Sequence, residues 1–159
     1  MAHDYRATVR WRRNGAVFVD NRYSRAHVWA FDGGVEVPAS SSPSVVRLPL
    51  SRADAVDPEE AFVAALASCH MLFFLSFAAH GGIVVDAYED EAVGVMRKNA
   101  DGKLYVAKVT LKPRVAVSGA KRPTEAEIAD LHHKSHDECF IANSVKSEIA
   151  IEALPLAFA

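Results

Sequence analysis

From Ala61 to Ala79 the chain carries no Asp, Glu, Lys or Arg, and a stretch of that length and character has few possible fates. It is roughly as long as a bilayer span. In a folded domain it must be a helix enclosed on most of its faces. The flanking signals are those of a helix: Asp57 is a good N-cap, Pro58 suits the first helical position, Glu60 completes a capping-box-like pattern, and Gly81-Gly82 provides the exit after His80. The result is a helix of about 23 residues, near 35 Å long. Ser68-Cys69-His70 lies at its centre, six of its residues are weakly hydrophobic Ala, and strand-like patterns of ordinary charge density flank it. We therefore expect a buried globular helix and no membrane. One small sheet covers only one side of such a helix, so a second layer is required, and a partner chain in a homodimer is its expected source.

The remaining segments read as sheet. Tyr5 to Arg13, a hairpin signal at Asn14-Gly15 and Ala16 to Asp20 suggest an opening pair of strands. Arg25 to Phe31, the turn Asp32-Gly33-Gly34 and Val35 to Ala39 suggest a second pair, closed by the loop Ser40-Ser41-Ser42-Pro43. Beyond the helix, Ile83 to Lys98 and Lys103 to Val117 read as one long hairpin joined at Asn99-Ala100-Asp101-Gly102. Pro123 then opens a shorter helix to about His136, and Ser147 to Ala153 forms a last strand. This order implies an α+β fold, and 159 residues, half of them apolar, suit a single domain over residues 1–159.

With 18 Lys and Arg against 20 Asp and Glu, the net charge of −2 offers no field for nucleic acid. Met1-Ala2-His3-Asp4-Tyr5-Arg6 lacks the apolar core of a secretory signal, so the expected address is the cytoplasm. Two cysteines are too few for a disulfide framework. Cys69, mid-helix, is by itself a packing cysteine, because burial disfavours the thiolate. Cys139, following a helix with His132, His133 and His136, raises a second reading, in which the two thiols are a redox couple.

Asp57-Pro58-Glu59-Glu60, Cys69 ten residues after Glu59, and His136-Asp137-Glu138-Cys139 together resemble the OsmC and organic hydroperoxide resistance superfamily, from about the Arg25 strand to the last strand. The resemblance implies an OsmC-like fold of antiparallel sheets around a long central helix in an intertwined homodimer. It also implies a cofactor-free peroxidase in which Cys69 is the nucleophile, Cys139 resolves it, and Glu59 and Arg25 complete the site. Tyr23-Ser24-Arg25-Ala26-His27 stands where glycines often precede the arginine, which leaves Arg22 as a substitute, and His70 and Phe140 follow the cysteines in place of an aromatic residue and a proline. These departures point to a less characterised branch.

Ten helical residues set Glu59 and Cys69 about 15 Å apart along one axis, so a shared site draws Glu59 from the other subunit. A cation within about 4–6 Å favours an ionised partner by roughly 1–3 pKa units, which is the role expected of Arg25 toward Cys69. Glu59 would hold its guanidinium bidentately; the alternative is that both are solvated surface groups. Thiolate attack on an organic hydroperoxide then yields an alcohol and a Cys69 sulfenic acid, which condenses with Cys139 to a disulfide that a dithiol, lipoyl-type dithiols included, would reset. Phe62, Leu66, Leu72, Phe73, Phe74 and Phe77 are candidates for an apolar mouth, or for plain core. Two rival readings remain. One is a non-catalytic binding protein for a lipid-like or lipoyl-type ligand in the same pocket. The other is a metal-binding stress protein using His132, His136 and Cys139. His70, beside Cys69, is read as a core histidine rather than a proton relay.

Overall fold

The computed structural model describes residues 3–158, and the chain gathers into two compact units, Met1–Ala61 and Phe62–Ala159. In the first, β1 (Ala7–Arg10), β2 (His27–Phe31) and β3 (Glu36–Ala39) form an antiparallel sheet in that order. The β2–β3 turn forms where expected. Gly34, at φ 83°, occupies the left-handed region that a side chain would resist, and its N–H donates to the Phe31 carbonyl at 3.0 Å.

The opening hairpin differs from its reading. Asn14 and Gly15 do turn, with φ of 50° and 78°, yet residues 16–20 do not return along β1, whose partner is β2 with Thr8 opposite Ala30. The physical reason is aromatic. Trp11, Phe18 and Tyr23 collapse together with ring centroids 5.9, 5.3 and 4.7 Å apart, and Asn21, at φ 58°, bends the chain to allow it. Packing three partly covered rings against one another outweighs the few hydrogen bonds of a short hairpin.

Helix α1 (Pro58–His80) matches the bounds expected from its flanks. Asp57 Oδ1 accepts from the Glu60 N–H at 2.8 Å, and Glu60 Oε2 accepts from the Asp57 N–H at 3.2 Å, a reciprocal cap. The helix begins in the first unit and continues through the second.

In the second unit the long hairpin is present but broken at its middle. β5 (Val93–Lys98) pairs with β6 (Leu104–Leu111), and β4 (Val84–Asp90) pairs with β7 (Pro113–Ser118). The break falls at Glu91-Ala92 and Lys112, where Asp90 Oδ1 accepts from the Lys112 N–H at 2.6 Å and Pro113 has no N–H to continue the ladder. Two sheets result, and β8 (Glu148–Ile151) and β9 (Ala157–Phe158) extend them in parallel, onto β6 and β7 respectively. The two-residue β9 carries too short a pattern to be foreseen. Two sheets cover more of α1 than one long ribbon could. Leu66 packs with Val109 and Leu111 on one of them, while Phe74 and Ala78 pack with Val115 and Val117 on the other and with Ile128 of α2 (Glu125–Glu138).

Enclosure of α1 on most faces is not met within one chain. Its buried positions are Leu66, His70, Phe74 and Ala78, a single stripe at four-residue spacing, and Leu72 stays 60 % exposed. By length and composition the helix could cross a membrane, but that stripe is the centre of both hydrophobic cores. The tightest contact across it involves Gly94, where an added Cβ would come within 2.6 Å of Val63 Cγ2. Val63 is β-branched and cannot fold aside. Gly94→Ala should therefore lower stability by about 1–3 kcal/mol, read as a drop in the urea midpoint, and an unchanged midpoint would mean that α1 and β5 separate freely.

Candidate functional site

Helix α2 brings the second cysteine to the first. Thr124 caps it by accepting from the Glu127 N–H at 3.2 Å, while its own N–H donates to Glu127 Oε2 at 2.8 Å. At the other end Cys139 is the C-cap, with extended backbone and its N–H donating to the His136 carbonyl at 3.2 Å. The sequence reading missed the brace that holds it there. Asn143 Nδ2 donates to the carbonyls of Asp137 at 2.8 Å and Cys139 at 3.1 Å, and the Ala142 N–H points at Cys139 Sγ from 3.4 Å. The chain signal for such a brace is a polar amide just past a helix end, which is common in loops that do nothing of the kind.

The two thiols are free, with Cys69 half-buried and Cys139 buried, and they are near enough for one to act on the other. Burial first, and then the neighbouring Cys69, push the Cys139 thiol up to about 11.

Cys69 opens onto an apolar groove of about 440 Å³, the size of a small-molecule site. Ala65, Leu72, Phe73, Phe140 and Ile141 line it, with Ser68 and Ser76 as its polar members. Of the six side chains expected at an apolar mouth, Leu72 and Phe73 are there, whereas Leu66, Phe74 and Phe62 belong to the cores. Phe140, noted in the sequence only as the residue after Cys139, is its further aromatic lining. It meets Phe73 edge-on at 5.1 Å and is 67 % exposed.

His70 faces away from the groove, as neighbouring helical side chains diverge by about 100°. It is a core histidine, but an incompletely satisfied one. Its Nε2 lies 3.0 Å from Nδ1 of His132, also buried, and the other nitrogen of each ring has no partner. Burial pushes both imidazoles down to about 4, helped for His70 by His132 and His136. His132 thus meets His70, its hydrogen-bond partner across the two helices. Among the described residues no three His, Cys, Asp or Glu side chains converge as a metal site would require.

The other two expected site residues lie in the first unit. The Arg25 guanidinium donates from Nη1 to the carbonyls of Asn21 (3.0 Å) and Tyr23, donates from Nη2 to Asn21 Oδ1 (2.7 Å), and rests 3.9 Å over the Tyr23 ring. Its Nε–H and one Nη2–H remain uncommitted among the described residues. The ion pairs of this unit are Arg6 with Asp4, Arg10 with Glu36 and Arg52 with Asp54, so Arg25 and Glu59 are not paired within one chain.

Residues 51–153 match the family of OsmC-like proteins. Among solved structures, an OsmC-like protein of unknown function from Vibrio cholerae is similar at 51 % identity and a TM-score of 0.94, over 96 % of this chain and 100 % of that one. More distant similarities share the fold. An organic hydroperoxide resistance protein from Elizabethkingia anophelis gives 16 % identity and a TM-score of 0.67 over 100 % of this chain and 99 % of that one. The organic hydroperoxide resistance protein OhrB of Bacillus subtilis gives 19 % identity and 0.62, over 99 % and 98 %. No curated protein matches the sequence. The matched segment spans most of the chain and the α+β arrangement is shared throughout, so this chain belongs to the OsmC-like family.

Proposed function

We propose that this protein is a cytoplasmic thiol peroxidase for organic hydroperoxides, with Cys69 as nucleophile and Cys139 as resolving thiol. One observation carries the reading: two neighbouring free thiols of unequal burial, the more open one on an apolar groove. The Cys69 thiolate attacks the outer peroxide oxygen, the O–O bond breaks, and the organic fragment leaves as an alcohol after taking a proton from solvent. Cys139 then attacks the resulting sulfenic acid, forming the Cys69–Cys139 disulfide and releasing water. A dithiol, of lipoyl type or another, returns both thiols. The apolar lining favours substrates that bury a hydrocarbon group, at about 25 cal/mol per Å² of apolar surface removed from water.

The functional unit in this reading is a homodimer in which a second copy covers the open side of α1 and supplies Arg25 and Glu59. Leu72 and Phe140 are 60 % and 67 % exposed, as a surface awaiting cover would be. Two uncommitted N–H donors on Arg25 match one carboxylate, which is what Glu59 offers. The guanidinium keeps the nucleophile anionic by placing positive charge beside the sulfur.

One equivalent of cumene hydroperoxide added to the reduced protein should remove both thiols and about two hydrogens of intact mass. Unreacted peroxide with both thiols intact would replace this reading with that of a binding protein, for which the same groove serves a lipid-like or lipoyl-type ligand. Arg25→Met should slow alkylation of Cys69 at neutral pH by about tenfold or more, as expected for one unit of lost charge stabilisation; an unchanged rate would take Arg25 out of the site.

A further inference from the structure

Six buried side-chain polar atoms lack a partner among the described residues, and four of them, on His70, His132, Tyr88 and Asp90, belong to the second unit. A buried polar atom without a partner costs free energy, and its place in a fold calls for an explanation. The two histidines sit on the helices that carry the two thiols. On α1, Cys69 and His70 differ by a rise of about 1.5 Å and a turn of about 100°; on α2, His132 and Cys139 are seven residues apart, about 10.5 Å along the axis and in nearly the same direction. Hence α2 meets α1 at two points, one on either side of the α1 axis. A single contact would leave α2 free to swing, and two fix its crossing.

We infer that the His70–His132 pair is a clasp that positions Cys69 against Cys139 and opens when the rings are protonated. This rests on the two thiols being a disulfide couple, as proposed above. The rings lie edge to edge, with centroids 5.3 Å apart and planes 9° apart as an in-plane hydrogen bond requires, and Phe74 stacks on His132 at 4.4 Å. Each neutral imidazole has one N–H and one lone pair. Their one hydrogen bond uses one of each, so an N–H and a lone pair stay buried and unused, as observed at His70 Nδ1 and His132 Nε2. A second proton on each ring would set N–H against N–H.

Among the described residues nothing packed around the pair compensates a positive charge there. From α1 no charged side chain is available between Ala61 and Ala79. From α2, His136 adds to the penalty on His70. From β4 come Tyr88, which burial keeps protonated, and Asp90, whose carboxyl is raised by burial and has only the Lys112 N–H as partner at one oxygen. Once the disulfide has formed, α1 and α2 are stapled and the rings cannot part to accept protons. In the dithiol they can. Acid therefore favours the dithiol, by reciprocal linkage between proton and disulfide.

The test equilibrates the full chain with oxidised and reduced dithiothreitol, where protein dithiol and oxidised dithiothreitol give protein disulfide and reduced dithiothreitol. A diselenide catalyst keeps exchange fast in acid. The Cys69 thiolate titrates in both proteins, so the readout is the ratio of the wild-type constant to that of the double variant His70→Phe and His132→Phe, which keeps the stack on Phe74; that ratio should fall at least threefold from pH 7 to pH 5. His132→Ala should lower the constant about tenfold at pH 7. A double variant as pH-dependent as the wild type, or His132→Ala with an unchanged constant, would overturn the clasp. If no disulfide forms at any ratio, the thiol couple itself fails, and hydrogen exchange of α2 amides then decides the clasp alone: protection lost in His132→Ala supports it, and equal protection overturns it.

Discussion

A Cys69→Ser protein is expected to consume cumene hydroperoxide at least about a thousandfold more slowly than the wild type, because a serine hydroxyl without an adjacent base is a poor nucleophile at neutral pH. Cys139→Ser should behave differently. Its first turnover should run at the wild-type rate and then stop, leaving Cys69 as a sulfenic acid about one oxygen heavier that a dimedone-type reagent captures. Further peroxide should carry that species on to the sulfinic acid, since no thiol remains to intercept it. The contrast follows from the unequal surroundings of the two sulfurs. Cys139 is 1 % exposed and held protonated by burial, so it meets the sulfenic acid but not the substrate. Equal inactivation of both variants in the first turnover would mean that Cys139 is needed before any sulfenic acid forms, and retained activity in Cys69→Ser would remove the mechanism.

The second large effect is loss of stability in acid. Both His70 and His132 are held at about 4 in the fold, against an ordinary value near 6.5. Between those limits the unfolded chain binds protons that the native chain refuses, so stability falls as pH drops from about 6.5 toward 4 and levels off below. Above 6.5 the contribution is fully present. Each imidazole accounts for on the order of 3 kcal/mol, a large share of what holds a domain of this size together, and the two are not independent. Asp90 acts in the opposite direction. Burial raises its carboxyl, so protonation in acid relieves a strain that exists at neutral pH. Urea midpoints measured between pH 7 and pH 4 should therefore decline for the wild type and much less for the variant with Phe at positions 70 and 132. Parallel declines would assign the acid sensitivity to other groups.

The elements with strong local signals were legible in the chain. The N-cap at Asp57, the glycine pair after His80 and the uncharged run between them delimit α1, because capping, helix exit and burial each leave a mark within a few residues. The Asn99–Gly102 turn and the strands around it were legible for the same reason. The Ala16–Asp20 segment was not. Its place after Asn14-Gly15 reads as a return strand, but three aromatic rings separated by up to twelve residues found each other, and a local turn signal does not report contacts at that range. The break of the long hairpin into two sheets was missed as well: Pro113 marks it on one strand by ending the ladder, but no turn signal stands opposite at Glu91-Ala92.

By itself the sequence determined that a charge-free helix lies at the centre of an α+β fold and that two cysteines have no structural duty as a framework, because composition and capping act locally. Only the tertiary structure decided which side of that helix is covered, that the two sulfurs meet, that Phe140 rather than Phe62 lines the groove, and that His132 turns inward to His70 instead of along its own helix. Each of these depends on where a residue far away in the chain comes to rest, and the crossing of α1 by α2 sets that position through packing that no local pattern encodes.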